Sequence, residues 1–197
     1  MSVDPARKTL LVAGSANLDF VVRASHVPAP GETVLGRDFA TFPGGKGANQ
    51  AVACARAGGV ATRMLLALGS DRFAASIEDS LEDAGVSMQV VRTAQPTGTA
   101  FICLSDDAEN AITVAPGANA ALQGDELVAL EEVSHLLLQL ETPMQAVTAY
   151  ALAAREAGVR VALNAAPAAA LPTELLRALD LLIVNEGELA AITGHHG

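Results

Sequence analysis

Two clusters of polar residues near the amino terminus have the types and spacing to do chemistry. In Gly14-Ser15-Ala16-Asn17-Leu18-Asp19 the amide Asn17 and the carboxylate Asp19 are two apart. On an extended chain both side chains leave on the same side, where they could grip adjacent hydroxyls; the same pattern also reads as an Asx-type turn. The second cluster is Gly44-Gly45-Lys46-Gly47-Ala48-Asn49-Gln50. Glycines let backbone approach a ligand, a helix starting here offers free amides, and Lys46 and Asn49 bring donors to the same end. It is not a Walker A loop: the G-x-x-x-x-G-K-[ST] spacing is absent, and Ala48 stands where a metal-binding hydroxyl is needed.

These residues need elements to hold them. Thr9 to Gly14 reads as a buried parallel strand, and Leu18 to Arg23 and Thr33 to Ala40 as further strands separated by Val27-Pro28-Ala29-Pro30-Gly31. Ala48, Ala51, Val52 and Ala55 recur at helical spacing up to Gly58-Gly59, the strand Thr62 to Leu68 follows, and Phe73, Ile77, Leu81 and Ala84 mark a second helix closed by Gly85. Val86 to Arg92, Gly98 to Leu104 and Ala111 to Ala115 are strand-like, the last two joined by a polar hairpin loop. From Asp125 the reading is a helix, the strand His135 to Leu140, a helix from Pro143 to Ala157, the strand Val159 to Leu163, a helix around Glu174 to Leu179, the strand Leu181 to Val184, and a last helix from about Glu186. Such alternation predicts an α/β fold with a mostly parallel sheet covered on both faces. In such sheets ligands bind beyond the carboxyl ends of the strands.

Composition narrows the partner. A formal net charge of −10 repels phosphate backbones and anionic membranes, which argues for a small-molecule ligand, with no nucleic acid and no membrane as partner. Cys54 and Cys103 lie in apolar stretches without C-x-x-C spacing and read as buried free thiols of a reducing compartment. The segment Met1 to Lys8 is mixed in charge and does not read as a signal sequence, so the expectation is cytoplasmic. His195 and His196 read as a solvated end rather than a metal site.

The glycine-rich stretch, continued through Ala51-Val52-Ala53 and preceded by Pro30-Gly31-Glu32-Thr33-Val34-Leu35-Gly36, resembles the amino-terminal signature of ribokinases within the PfkB family of carbohydrate kinases. The likeness runs on in family order through Gly98-Thr99-Ala100, Pro116-Gly117-Ala118-Asn119, Gln139-Leu140-Glu141-Thr142-Pro143 and Leu163-Asn164-Ala165-Ala166-Pro167-Ala168. The resemblance implies a three-layer α/β/α, Rossmann-like domain over residues 1–197, incomplete on its C-terminal side. A small β lid would span about residues 18–42 and 98–114, and two copies would pair through it as a homodimer. It implies that Asn17, Asp19, Gly45, Lys46 and Asn49 contact the sugar and that Glu141 bonds it from the opposite side; by its position alone, Glu141 also suits a helix N-terminus. Asn185 and Glu188 resemble the family's N-x-x-E motif near Mg²⁺ and the triphosphate, and equally form a capping-box pattern.

The implied reaction is ATP-dependent phosphorylation of D-ribose to ribose 5-phosphate, with Mg²⁺ and a monovalent cation such as K⁺. The alternatives are another sugar or nucleoside kinase of the family, a fructokinase or adenosine kinase, or a catalytically dead sugar-binding or dimerisation remnant. The family's G-A-G-D motif, which supplies the aspartate base, does not occur in these residues, so the base is expected beyond Gly197 and the 197-residue chain is expected to be inactive, with uncovered apolar surface. Ala165 in place of a proline, and Ser70-Asp71-Arg72-Phe73-Ala74 in place of a G-D-D-x-x-G-like run, depart from the family pattern.

Overall fold

The structure, a computed structural model, describes residues 9–127 and 129–194. His195, His196 and the segment Met1 to Lys8 lie outside the described residues. Short apolar runs alternating with amphipathic helices fold into a parallel sheet of β1 (Thr9–Ala13), β4 (Thr62–Leu68), β5 (Ser87–Arg92), β8 (Val133–Leu138), β9 (Arg160–Asn164) and β10 (Leu181–Ile183). Their order is β10-β9-β8-β1-β4-β5, and every pairing is parallel.

Because successive side chains of a strand point to opposite faces, each central strand feeds two cores. On one face Leu11, Ala13, Leu65, Leu136 and Val161 pack against α3 (Met144–Glu156) and α4 (Thr173–Ala178) through Val147, Tyr150, Ala154 and Leu175. On the other, Val12, Met64, Leu66 and Leu68 meet α1 (Lys46–Gly58) and α2 (Arg72–Asp83) through Ala48, Ala51, Ile77 and Leu81. The alanines Ala51, Ala146, Ala151 and Ala154 are fully buried, so the scarcity of aromatic side chains is matched by close approach of helix to sheet. The three-layer α/β/α arrangement expected from the sequence is therefore present.

Four strands leave this frame and form a second sheet in the order β3-β2-β6-β7: β2 (Asn17–Arg23), β3 (Asp38–Gly44), β6 (Gly98–Leu104) and β7 (Asn110–Ala115). Asn17 pairs with both Gly44 and Gly98, so these strands enter or leave the sheet at one root, where β2 lies parallel to β6 and antiparallel to β3.

Several expectations are corrected. The strand read as Thr33 to Ala40 lies instead at Asp38–Gly44, because pairing with β2 sets its position and leaves Leu35 88% exposed in the preceding loop. The strand read as His135 to Leu140 is Val133–Leu138, so Gln139, Leu140 and Glu141 are free to turn into the loop beyond it. Cys54 and Cys103 are free thiols, but half-buried rather than buried. No helix starts at Asp125 among the described residues; an unforeseen 3₁₀ helix, Gly117–Ala121, precedes an irregular stretch. Its anchor is Glu126, whose carboxylate accepts hydrogen bonds from the amides of Gln123 and Gly124 (both 2.8 Å) and from the Tyr150 hydroxyl (2.6 Å). The three donors hold the Glu126 carboxyl below its usual pKa against the opposing effect of burial, and burial followed by the Glu126 contact keeps Tyr150 protonated.

Removing that hydroxyl leaves a partly buried carboxylate short of a donor. Tyr150→Phe is expected to cost about 1.5 kcal/mol, as for a lost hydrogen bond to a charged group, read as a lower urea midpoint with an unchanged slope.

Candidate functional site

The site lies where β1, β8 and the N-terminus of α1 meet, at the carboxyl ends of the central strands. Gly45 precedes the helix with φ +90°, a left-handed backbone, and a Cβ there would lie 2.8 Å from Ala16 Cα, so the chain enters α1 only through glycine. With no side chain of its own, Gly45 cannot cap the helix, and other elements do so. Glu141 Oε2 accepts from the Lys46 amide at 2.9 Å, Ser15 Oγ from the Gly47 amide at 3.2 Å, and the Ser15 carbonyl from the Ala48 amide at 2.9 Å. The Asn49 amide closes the first helical bond to Gly45. The amides expected to be open to a ligand are thus already engaged, because a carboxylate of the chain itself occupies the positive end of the helix dipole.

Glu141 also accepts from the Ser15 hydroxyl (2.6 Å) through Oε2, while its Oε1 faces the Lys46 ammonium at 3.6 Å. Lys46 and Glu141 form the polar end of a cavity of ≈ 520 Å³ whose remaining wall is mostly apolar, with Ile112 and Val114 of β7 on one side and Pro143 and Pro167 on the other. Pro167 is brought there by the bond from the Leu140 amide to the Ala166 carbonyl.

Asp19 sits on β2, with its carboxylate seated over Gly44: a Cβ on Gly44 would lie 2.2 Å from Oδ2. It accepts no hydrogen bond among the described residues, and burial, reinforced by the nearby negative charge of Glu141, raises its pKa above the ordinary value. A part-buried carboxylate without donors is what a site awaiting hydroxyl donors contains.

The structure therefore brings Asp19, Gly45, Lys46 and Glu141 together. Asn17 is on the same face of β2 as Asp19, inside a strand rather than an Asx turn, but is buried and accepts from the Asn119 amide at 2.8 Å. Asn49 is exposed near the start of α1, and of the residues expected to contact the sugar only Lys46 and Glu141 line the cavity itself.

Asn185 and Glu188 lie beyond β10, two strands from Glu141 in the sheet order, or about 10 Å at ordinary strand spacing. They form a reciprocal capping box on α5 (Glu186–Thr193), with both bonds at 2.8 Å. The capping box uses neither Glu188 Oε1, an oxygen suited to the water shell of Mg²⁺, nor the side-chain nitrogen Nδ2 of Asn185, a donor suited to phosphate. Among the described residues no group of three or more His, Cys, Asp or Glu could hold a metal ion directly.

Three participants were not singled out from the sequence. Ser15 holds Glu141. Asn119 exchanges hydrogen bonds with the backbone of Ala16 as well as Asn17, fixing the root of the second sheet. Gln139, fully buried, donates to Gln50 of α1 at 2.6 Å and ties the end of β8 to the helix. Ser15 and Asn119 stood inside the quoted loops, and only their partners, more than a hundred residues away, reveal their roles.

The family model described as pfkB family carbohydrate kinase matches residues 7–197. A ribokinase of Haemophilus influenzae is 39% identical over 196 residues, which cover 95% of this chain and 63% of that protein. A ribokinase of Lactococcus lactis is 40% identical over 182 residues, covering 90% and 60%. The ribokinase of Thermotoga maritima superposes with a TM-score of 0.84 at 36% identity (93% and 61% covered), and that of Arabidopsis thaliana complexed with ribose and ATP with 0.83 at 34% (95% and 63%). The chain thus spans less than two thirds of the length of these relatives.

The raised pKa of Asp19 has a stability consequence. Its ionised form is disfavoured in the fold, so the penalty is absent below the ordinary value of 3.8 and complete above the raised folded value. Asp19→Asn is expected to raise the thermal midpoint near neutral pH and to lose that advantage as the pH falls toward 3.8, measured by calorimetry across the acid range.

Proposed function

Because the chain belongs to the pfkB family of carbohydrate kinases, we propose that it forms the sugar-binding part of a ribokinase, which transfers a phosphoryl group from ATP to D-ribose. The observation that carries this reading is the meeting of Asp19, Lys46 and Glu141 at one strand-end site, from positions separated by up to 122 residues of sequence, the difference between 141 and 19. Two carboxylates accept hydrogen bonds from hydroxyls, and an ammonium donates to a sugar oxygen. Sets of this kind fix a polyol by several charge-assisted bonds rather than by apolar burial.

The second sheet supplies a cover. Its inner face carries Asp19 together with Ile112 and Val114 of the cavity wall, so sugar and sheet would close over each other and exclude water from the reacting oxygen. Asn185 and Glu188 are the residues that would meet the triphosphate side, one by donating to phosphate oxygen and one through metal-bound water. Bound MgATP would supply the phosphoryl group and the cation that neutralises its charge, and K⁺ would act in the complete enzyme. The proton-accepting aspartate is proposed to be absent from residues 1–197, because no G-A-G-D motif occurs in them.

The opposite face of the second sheet supports pairing of two copies in the cytoplasm. Phe20 stacks on Phe101 (5.3 Å) and Phe39 (6.2 Å), and the latter two are 54% and 63% exposed. Such a patch marks an interaction surface. No helix among the described residues is long and apolar enough to cross a membrane.

Titration of the isotope-labelled chain with D-ribose, followed by amide NMR, tests the reading. Shifts are expected at Asp19, Lys46 and Glu141, with weaker or no response to fructose and adenosine, and Glu141→Ala should weaken ribose by at least about tenfold through the loss of a charged acceptor. Absence of ribose-dependent shifts would sink the sugar assignment, while ribose 5-phosphate made by the purified chain with MgATP would sink the assigned lack of turnover. Phe101→Asp is expected to abolish self-association seen by sedimentation as the protein concentration is raised.

A further inference from the structure

We infer that Ser15 is a positioning residue, which fixes the Glu141 carboxylate so that Oε2 is turned inward and Oε1 alone is presented to a ligand. The inference rests on the sugar-binding reading above for its functional consequence, but not for its geometry. Ser15 is fully buried in the loop after β1, and its hydroxyl donates to Glu141 Oε2 at 2.6 Å while accepting from the Gly47 amide at 3.2 Å. A hydroxyl has one proton, and here that proton is directed at the carboxylate because the amide of Gly47 can only donate. Glu141 Oε2 receives a second bond from the Lys46 amide. Two donors, from a loop and from a helix, hold this oxygen, and a carboxylate held by two donors at one oxygen cannot rotate without breaking both.

The other oxygen is left with a different neighbour. Oε1 lies 3.6 Å from the Lys46 ammonium, longer than a direct hydrogen bond, and both residues line the cavity. Glu141 therefore offers one acceptor of fixed direction, beside a donor, to whatever enters. In the absence of the Ser15 proton either oxygen could serve the Lys46 amide, and the direction presented to the cavity would be lost. Ser15 is not itself part of the cavity lining, and the lining residue it bonds is Glu141, so its effect on a ligand passes through Glu141.

A purely structural role for Ser15, as a cap on α1, would act through the Gly47 amide, whereas the positioning role acts through Glu141 and the Lys46 amide. Amide NMR of the full chain reads these two amides separately when each is assigned. Ser15→Ala is expected to shift the Lys46 amide as well as that of Gly47, to weaken D-ribose about tenfold, and to have neither of those effects on Lys46 and ribose when Glu141→Ala is already present. Should alanine disturb folding, the near-isosteric Ser15→Cys, a weaker donor, gives the same comparison.

A Lys46 amide that stays in place, or a loss of affinity equal in the wild-type and Glu141→Ala backgrounds, would overturn the inference. If the wild-type chain shows no response to ribose, the sugar reading falls on its own. The Lys46 amide then still decides whether Ser15 orients Glu141: movement that depends on Glu141 supports it, and its absence refutes it.

Discussion

A helix that begins at glycine has donors to satisfy and no side chain of its own with which to satisfy them. In this protein the deficit at α1 is met by Glu141 and Ser15, which arrive from the ends of two adjacent parallel strands, β8 and β1. The same carboxylate is one wall of the cavity and one partner of Lys46. Sheet order, helix start and site are therefore one constraint: if β1 and β8 were not neighbours, the helix would lose its cap and the cavity its acceptor.

The two halves of the site differ in character. At the strand ends lies the charged pair Lys46 and Glu141, with the carboxylate tied to the Lys46 amide and the Ser15 hydroxyl. The half contributed by the second sheet is largely apolar at Ile112 and Val114 and carries one carboxylate, Asp19, without donors. On the proposed sugar-binding reading, such a division would give direction from one side and exclusion of water from the other, with Asp19 the carboxylate still short of donors. Electrostatic cost in the empty site is the counterpart of affinity in the filled one.

Local sequence carried much of this. β4 and β6 occupy the residues read from their apolar runs, because turn residues bound each run on both sides. α1 and α2 follow from the spacing of their small and aliphatic residues. What failed depended on distant partners. Thr33-Val34-Leu35 has the composition of a strand but nothing to pair with, while the less apolar Asp38–Gly44 is chosen by β2. Glu126 has ordinary helix propensity, yet its carboxylate is drawn to Tyr150 and two loop amides. Within the site, Asp19 and Lys46 stood out by type and spacing and Glu141 by the family resemblance, whereas the engagement of the α1 amides was not legible, since no periodicity encodes a bond between residues 15 and 141.

The parallel pairing of β2 with β6 has an implication for how the molecule is made. Asn17 meets Gly98 across 81 residues, the difference between 98 and 17, and the intervening chain contains α1, β4, α2 and β5. Closing so long a loop is entropically unfavourable until the intervening elements have condensed, and long-range pairings of this type slow folding. The small sheet should therefore assemble last and open first, its amides exchanging with solvent through partial unfolding while the central strands stay protected. The sheet that lends Ile112 and Val114 to the cavity wall would thereby also be the least cooperative part of the fold, able to come away without dissolving the core.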